Sequence, residues 1–195
     1  MLILATKSST KRSLMNRSGL EYMAMPADVD ECSIENAHPS LNAKETVILL
    51  ARAKAKKLSL VYPNEFIIAA DTFGVLPDGS RLHKAKTTEE TMKMCLSQSG
   101  QTVTIYTGIC VAHRSKFHTD TTETKITYTN FDRTTLEKVW ARVAGSVRRN
   151  AALGFHVDAP GFTLVERIEG SYLGALGLPL DKVRLLLHHV GYENI

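Results

Sequence analysis

Asp71 is the residue of this sequence best placed to do chemistry, because it ends a short, uninterrupted apolar run. Residues 67–70 are too few for a stable helix but of the usual length for a strand buried on both faces. Asp71 is therefore expected at the carboxyl edge of a central strand, where open α/β sheets bind their ligands. The alternative is an Asp that opens the turn predicted over residues 76–80, although the Pro-Asp-Gly of that turn supplies turn chemistry without it.

A second candidate is the segment 6–12, in which hydroxyl and cationic side chains follow a short apolar stretch. Residues 2–5 predict a buried strand, and Leu14 and Met15 predict the start of a helix, so the segment is a strand-to-helix turn. Backbone N–H groups and the helix dipole favour an anion at such a turn. The sequence predicts a phosphate cradle here, with a solvated polar turn as the alternative.

A lysine interrupts the apolar face of the longest predicted helix, which covers residues 42–60. Asn42 is its expected N-cap, because Glu45 follows three residues later as in a capping box. Lys54 falls in the middle of the core-facing stripe, where an ammonium either snorkels to water or binds an anion. On this basis we expect that Lys54→Met could stabilise the fold, because methionine would place an apolar side chain on an apolar stripe. The apolar members of the stripe are Val47, Leu50, Ala51 and Leu58.

Asp30 and Glu31 form a carboxylate pair within a polar stretch. Carboxylate oxygens are the ligands that Mg²⁺ prefers, and Mg²⁺ keeps several of its waters when bound. The pair indicates a magnesium site for a phosphate-bearing ligand, and a solvated pair on a loop is the alternative.

The remaining periodic segments predict the elements around these residues. Alternating residues predict two adjacent antiparallel strands over 103–112 and 121–128. Helices are predicted over residues 87–99, over residues 134–144 with Trp140 in the core, and from Pro179 to Gly191.

Composition indicates an ordinary globular protein, predicted as a single domain over residues 1–195. Hydrophobic residues make up 44% and charged residues 23%, and the net charge of +4 suits anionic ligands. The three cysteines form no C-x-x-C pair, which favours a reducing, cytoplasmic location. The apolar N-terminal stretch of five residues before Thr6 is too short for a membrane span, and no membrane partner is expected.

Several segments, spread over residues 2–190, resemble the Maf family of septum formation proteins. Residues 2–8 (Leu-Ile-Leu-Ala-Thr-Lys-Ser) resemble the family's opening, and Ala70-Asp71-Thr72 matches its Ala-Asp-Thr triplet. The resemblance implies an α/β fold like that of Maf and inosine-triphosphatase-type proteins: a mixed, twisted sheet flanked by helices, with two lobes and a central cleft. Further matches lie at residues 50–55, 168–172 and 177–180.

The resemblance also implies an activity, the hydrolysis of a nucleoside triphosphate between its α and β phosphates with Mg²⁺ or Mn²⁺. Asp71 matches the residue to which the family assigns proton transfer from the attacking water, and Glu31 matches a metal ligand. The substrate contacts that the resemblance implies fall on Ser8, Thr10, Lys11, Arg12, Lys54, Thr72, Lys84, Arg149 and His156.

Base choice in the family tracks three of these positions, Thr10, Thr72 and His156. Thr72 implies a preference for dTTP or UTP, whereas Thr10 and His156 stand where the family has arginine and glutamine. A neutral imidazole offers one donor and one acceptor, so that histidine is able to replace the glutamine amide.

Two other classes of function stay open at this stage. One is a non-catalytic, nucleotide-binding regulator of septum formation and cell division. The other is nucleic-acid binding, which the sequence disfavours because aromatic residues are not interleaved with the cations. The oligomeric state is open, a homodimer included.

Overall fold

A computed structural model describes residues 1–82, 85, 87–142 and 160–193 of the chain. In this part of the chain seven strands form one sheet. They are β1 (Leu2–Leu4), β2 (Met23–Ala24), β3 (Phe66–Val75), β4 (Arg81–Leu82), β5 (Thr102–His113), β6 (Lys116–Tyr128) and β7 (Val165–Gly170). Their order is β2-β1-β3-β5-β6-β7, and β4 pairs with β3 off this path.

Helices flank the sheet, and both strand directions occur in it. Strand β1 runs parallel to β2 and β3, whereas β4 is antiparallel to β3 and β7 is antiparallel to β6. The predicted α/β class with a mixed sheet is confirmed. The helices are α1 (Ser9–Asn16), α2 (Glu31–Asn36), α3 (Ala43–Val61), α4 (Thr88–Leu96), α5 (Arg133–Ala141), α6 (Tyr172–Ala175) and α7 (Leu180–His189), with a 3-10 turn at Pro160–Leu164.

The chain divides into two compact units. The first consists of Met1–Thr72, Thr107–Thr122 and Gly177–Ile195, and the second of Phe73–Tyr106 and Glu123–Leu176. Strands β3, β5 and β6 each contribute residues to both units. The single domain expected over residues 1–195 stays a prediction.

The core of the first unit is built around close packing of α3 on the sheet. A Cβ atom at Gly108 of β5 would lie 2.3 Å from the backbone carbonyl of Val47, so the glycine permits this approach. Small side chains share the same interface, because bulky ones would hold the helix away. The buried alanines of this cluster are Ala5, Ala27, Ala51, Ala55, Ala69 and Ala112.

The second unit is held by side chains of α4, α5 and the ends of the long strands. Ser99 donates a hydrogen bond to the carbonyl of Phe131 (2.6 Å) and accepts one from its N–H (2.7 Å). Arg133 at the start of α5 pairs with Glu89 of α4 at 2.8 Å. Trp140 is buried, as predicted.

Local sequence signals located most helix starts correctly. The capping boxes of Asn42 with Glu45 and of Thr87 with Glu90 are both present. The turn over residues 76–80 is also present, and its carboxylate is Asp78, which accepts hydrogen bonds from the N–H and hydroxyl of Ser80 (2.8 and 2.6 Å). Asp71 therefore has no part in that turn.

Two of the predicted boundaries that lie close to candidate site residues are wrong. Helix α1 begins at Ser9, ahead of the predicted start at Leu14, because the Ser8 side chain caps it by accepting from the N–H of Lys11. Strand β3 does not end at Asp71 but continues to Val75, because Gly74 and Val75 pair with β4. Asp71 thus lies inside a strand rather than at its carboxyl end.

The β5–β6 hairpin was predicted as two shorter strands. The two strands are hydrogen-bonded neighbours separated only by residues 114 and 115, a connection that permits only the antiparallel arrangement. Strand β6 begins at Lys116 rather than at residue 121.

None of the described helices is long and apolar enough to cross a membrane.

Candidate functional site

Lys54 of α3 bridges two carboxylates from different elements. Its Nζ lies 2.5 Å from Oδ1 of Asp71 in β3 and 2.7 Å from Oε1 of Glu31 in α2. The Lys54 and Asp71 side chains are only 14% and 12% exposed, whereas Glu31 is 47% exposed. The ammonium on the apolar stripe therefore does not snorkel to solvent but is held by anions.

The charges of this cluster stabilise one another. Burial by itself lowers the pKa of Lys54, but attraction to Asp71 and Glu31 and hydrogen bonds with both outweigh burial, so the pKa of Lys54 is raised. Lys54 is thus protonated at neutral pH, and its ammonium donates a hydrogen bond to Oδ1 of Asp71. The Asp71 carboxylate is the group of this cluster that lies deepest and that has oxygen atoms able to accept a proton.

The two residues of the predicted Asp30–Glu31 pair have separate tasks. Asp30 caps α2, and its side chain accepts a hydrogen bond from the N–H of Ser33 at 3.0 Å. Glu31, the first residue of the helix, extends to Lys54 instead. Only Glu31 therefore contributes to the cluster.

Two lysines fix the loop that precedes α2. Asp28 has a φ of +43°, in the left-handed region. Lys57 Nζ donates to its backbone carbonyl at 2.5 Å, and Lys7 Nζ pairs with its carboxylate at 2.5 Å. Lys57 lies one helical turn after Lys54, so the same helix holds both Glu31 and the loop before it.

A second cluster surrounds Thr72, the next residue of β3. Its Oγ1 accepts a hydrogen bond from Oγ1 of Thr107 at 2.9 Å and lies 3.5 Å from Nζ of Lys11. Consecutive side chains of a strand point to opposite faces, so Asp71 faces α3 while Thr72 faces α1. The structure thus separates the predicted site residues into two groups.

The start of α1 carries the remaining described site residues. Thr10 and Lys11 lie in its first turn, and Arg12 follows as an exposed side chain. The first turn contains no acidic residue, so cations accompany the positive end of the helix dipole. This arrangement favours an anion and suits a phosphate group.

Three predicted site residues, Lys84, Arg149 and His156, lie outside the described residues. Sequence reasoning missed Thr107 as a partner of Thr72. The sequence feature that could have indicated it is that Thr107 is a polar residue directly before the apolar segment 108–112 of β5.

The described ranges of the chain offer few candidate metal ligands. Among the described residues no group of three or more His, Cys, Asp or Glu side chains is arranged to hold a metal ion. Asp71 and Glu31 nevertheless converge on one point, and each contacts Lys54 through one oxygen, Oδ1 or Oε1. This donor set suits a hard cation that takes few protein ligands and completes its shell with water and phosphate oxygens.

The sequence matches known proteins along nearly its whole length. The profile of the family described as "Maf-like protein" matches residues 1–190. A protein of Corynebacterium diphtheriae named nucleoside triphosphate pyrophosphatase is 30% identical over 192 residues, which cover 98% of this chain and 95% of that protein. A dTTP/UTP pyrophosphatase of Methylobacillus flagellatus is 34% identical over 194 residues (97% and 92%). A 7-methyl-GTP pyrophosphatase of Alkalilimnicola ehrlichii is 34% identical over 198 residues (100% and 95%).

Proposed function

Because this chain belongs to the Maf-like protein family, we propose that it hydrolyses a nucleoside triphosphate between the α and β phosphates. The products are the nucleoside monophosphate and pyrophosphate. The relatives named above carry pyrophosphatase names and match this chain over 92% or more of their own length. The match therefore spans most of each relative rather than one part of it.

One observation in the structure supports this function most directly, the ion-paired cluster of Lys54 with Asp71 and Glu31. A buried ammonium is costly unless it is paired, and here two carboxylates pair it. Together the three groups carry a formal charge of −1. Such a cluster offers a carboxylate that can accept a proton and carboxylate oxygens that can bind the metal ion of a metal–phosphate complex.

Asp71 is the proposed general base. It takes a proton from the attacking water while the water oxygen bonds to the α phosphorus, and the bond from that phosphorus to the bridging oxygen breaks to release pyrophosphate. Lys54 holds the Asp71 carboxylate in place through the ion pair between Nζ and Oδ1 at 2.5 Å. The start of α1, with Lys11 and Arg12, binds phosphate oxygens.

Glu31 is the proposed protein ligand of one Mg²⁺ or Mn²⁺, with Asp71 beside it. The Glu31 side chain is half-exposed, so a hydrated ion can reach it. When bound, the metal would neutralise the negative charge that develops on the leaving pyrophosphate. Turnover is expected to stop with excess EDTA and to return when Mg²⁺ or Mn²⁺ is added.

The preferred base is proposed to be thymine or uracil. Thr72 supports this choice, because it implies the dTTP/UTP subgroup by the family resemblance. Relatives of similar identity are named for dTTP/UTP and for 7-methyl-GTP, so similarity alone does not decide between them.

The test is a pyrophosphate-release assay over dTTP, UTP, CTP, GTP and 7-methyl-GTP in the presence of Mg²⁺. We expect release of pyrophosphate with formation of monophosphate, fastest for dTTP or UTP. Asp71→Asn should be nearly inactive, whereas Asp78→Asn should retain full activity. Asp78→Asn is a matched control, because it is the same substitution at an exposed carboxylate in a turn.

Release of orthophosphate with a diphosphate product would contradict the proposal, since attack would then occur at the γ phosphate. Binding of nucleotide without any turnover would favour the non-catalytic regulator instead.

A further inference from the structure

The hydroxyl of Thr72 is surrounded by donors. Thr107 Oγ1 donates to Thr72 Oγ1 at 2.9 Å, across the neighbouring strands β5 and β3. Lys11 Nζ, which has only protons to offer, approaches the same oxygen to 3.5 Å from α1. Both contacts therefore use the Thr72 oxygen as an acceptor.

These two contacts determine what Thr72 can still do. A hydroxyl has two acceptor lone pairs and one proton to donate, and both the Thr107 hydrogen bond and the longer Lys11 contact are directed at the lone pairs. Within the described part of the chain, the Thr72 hydroxyl is the acceptor in both of its side-chain contacts. Thr107 is fully buried, at 0% exposure, whereas Thr72 is partly exposed. Of the two hydroxyls, only that of Thr72 can therefore offer its proton to a ligand at the surface.

Gly177 makes this arrangement possible. A Cβ atom on Gly177 would lie 3.0 Å from both Lys11 Nζ and Thr72 Oγ1, tighter than ordinary contacts. Its φ of +97° is also one that residues with side chains rarely adopt. The backbone thus leaves the space in which the lysine and the threonine meet.

We infer that Thr107 is a positioning residue which, with Lys11, makes the Thr72 hydroxyl a fixed hydrogen-bond donor to an acceptor oxygen of the bound nucleotide. The inference rests on the proposed function for the identity of the ligand. It goes beyond that function because it assigns a task to Thr107 and a direction to the Thr72 hydrogen bond.

An acceptor oxygen of a nucleotide belongs either to a base carbonyl or to a phosphate. The two sources are separable with UTP and CTP, because uracil has a carbonyl at the position where cytosine has an amino group. A donor aimed at that carbonyl favours UTP over CTP. A donor aimed at a phosphate oxygen treats the two nucleotides alike.

The experiment compares kcat and KM for UTP and CTP in wild type, Thr107→Val and Thr107→Ser. Valine keeps the shape of the buried side chain and removes the hydroxyl, whereas serine keeps the hydroxyl. Thr102→Val is the matched control, because Thr102 lies on the same strand and its hydroxyl pairs with that of Thr127 at 3.0 Å. Thermal unfolding of each variant shows that the fold is retained.

We expect Thr107→Val to lower kcat/KM for UTP about fivefold to tenfold, the usual scale for one hydrogen bond. Thr107→Ser and Thr102→Val should remain within about twofold of wild type. A parallel loss for CTP assigns the acceptor to a phosphate, and a loss confined to UTP assigns it to the base. Unchanged kinetics in Thr107→Val, or an equal loss in Thr107→Ser, would overturn the inference.

Calorimetric binding of UTP separates this inference from the proposed function. If wild type binds UTP without releasing pyrophosphate, the proposed function fails, and the inference then requires weaker binding in Thr107→Val than in Thr107→Ser. Equal binding by the two variants, or no binding by wild type, would overturn it.

Discussion

At the residue scale, the contact between Lys54 and Asp71 changes the expected effect of a familiar substitution. An isolated lysine on an apolar stripe invites replacement by methionine, and the sequence alone suggested that Lys54→Met could stabilise the fold. The structure places two carboxylates on that ammonium. Removal of the lysine would leave Asp71 as a buried charge without its partner, so the expected sign reverses.

Lys54→Met should lower the free energy of unfolding at pH 7 by about 3 kcal/mol, the low end for breaking a buried ion pair, because Glu31 is half-exposed. Lys56→Met is the control, since Lys56 is exposed on the same helix and its loss should cost less than about 0.5 kcal/mol. Urea unfolding of the two variants measures both values. A Lys54→Met protein more stable than wild type would restore the original expectation.

The stabilisation from Lys54 should disappear at alkaline pH. The pKa of Lys54 is raised above its ordinary value of 10.5 by Asp71 and Glu31, which outweigh burial. A group whose pKa is higher in the folded state than in the unfolded state stabilises the fold. This stabilisation is complete at pH values below the unfolded-state pKa and is lost as the pH rises through the folded-state pKa. The difference in unfolding free energy between wild type and Lys54→Met should thus stay constant up to about pH 10 and shrink above 10.5. A difference independent of pH would contradict this account.

Asp71→Asn should lower kcat by at least about a hundredfold, the scale of losing a general base. The amide keeps an oxygen that can face Lys54, so unfolding stability should fall much less than in Lys54→Met. Steady-state kinetics and urea unfolding of the same preparation measure the two quantities. An active Asp71→Asn enzyme would exclude Asp71 as the base.

The sequence indicated Asp71, Lys54 and Glu31 individually, but it did not predict that they meet. Lys54 was noticeable because it broke an apolar pattern, and Asp71 because it ended one. Their contact depends on how α3 packs against β3, which involves residues 17 positions apart. Patterns within a segment carry no such information.

At the scale of elements, helix α3 positions Lys54 against Asp71 and Glu31. The close packing of α3 on the sheet depends on Gly108 of β5. Gly108→Ala should destabilise the protein by about 3 kcal/mol, the upper end of the usual cost of overpacking, because its Cβ would meet the backbone of Val47 at 2.3 Å. Gly79→Ala is the control. Its Cβ would meet nothing within 4 Å, so only its φ of +86° costs energy, about 1 kcal/mol.

Thermal or urea unfolding measures both glycine variants. If Gly108→Ala unfolds like Gly79→Ala, then α3 can move away from β5 without loss, and the close packing is not a requirement of the fold.

Elements with local signals were predicted well, and those with distant causes were not. The capping boxes of α3 and α4 are encoded within four residues, so their starts were correct. The extension of β3 to Val75 depends on pairing with β4. Strand β7 was not predicted, because its residues 165–170 are largely polar and acquire their conformation by pairing with β6.

At the scale of the whole molecule, the net charge of +4 should assist capture of a polyanionic substrate. Raising the salt concentration from 0.1 to 1 M shortens the screening length from about 10 to about 3 Å. We expect kcat/KM to fall over this range, mainly through KM, while kcat stays nearly constant at fixed free Mg²⁺. A KM that does not respond to salt would exclude such steering.

Asp71 and Thr72 are consecutive, yet their side chains leave β3 on opposite faces and meet different helices. Thr107 contacts Thr72 and has no part in the contact between Lys54 and Asp71. If Asp71 is the base and the Thr72 hydroxyl faces the nucleobase, as proposed, choice of nucleotide and cleavage of its anhydride bond would be separately mutable traits. A lineage, or a designer, could then retarget the protein to another triphosphate by working on one face of a single strand, without first sacrificing turnover.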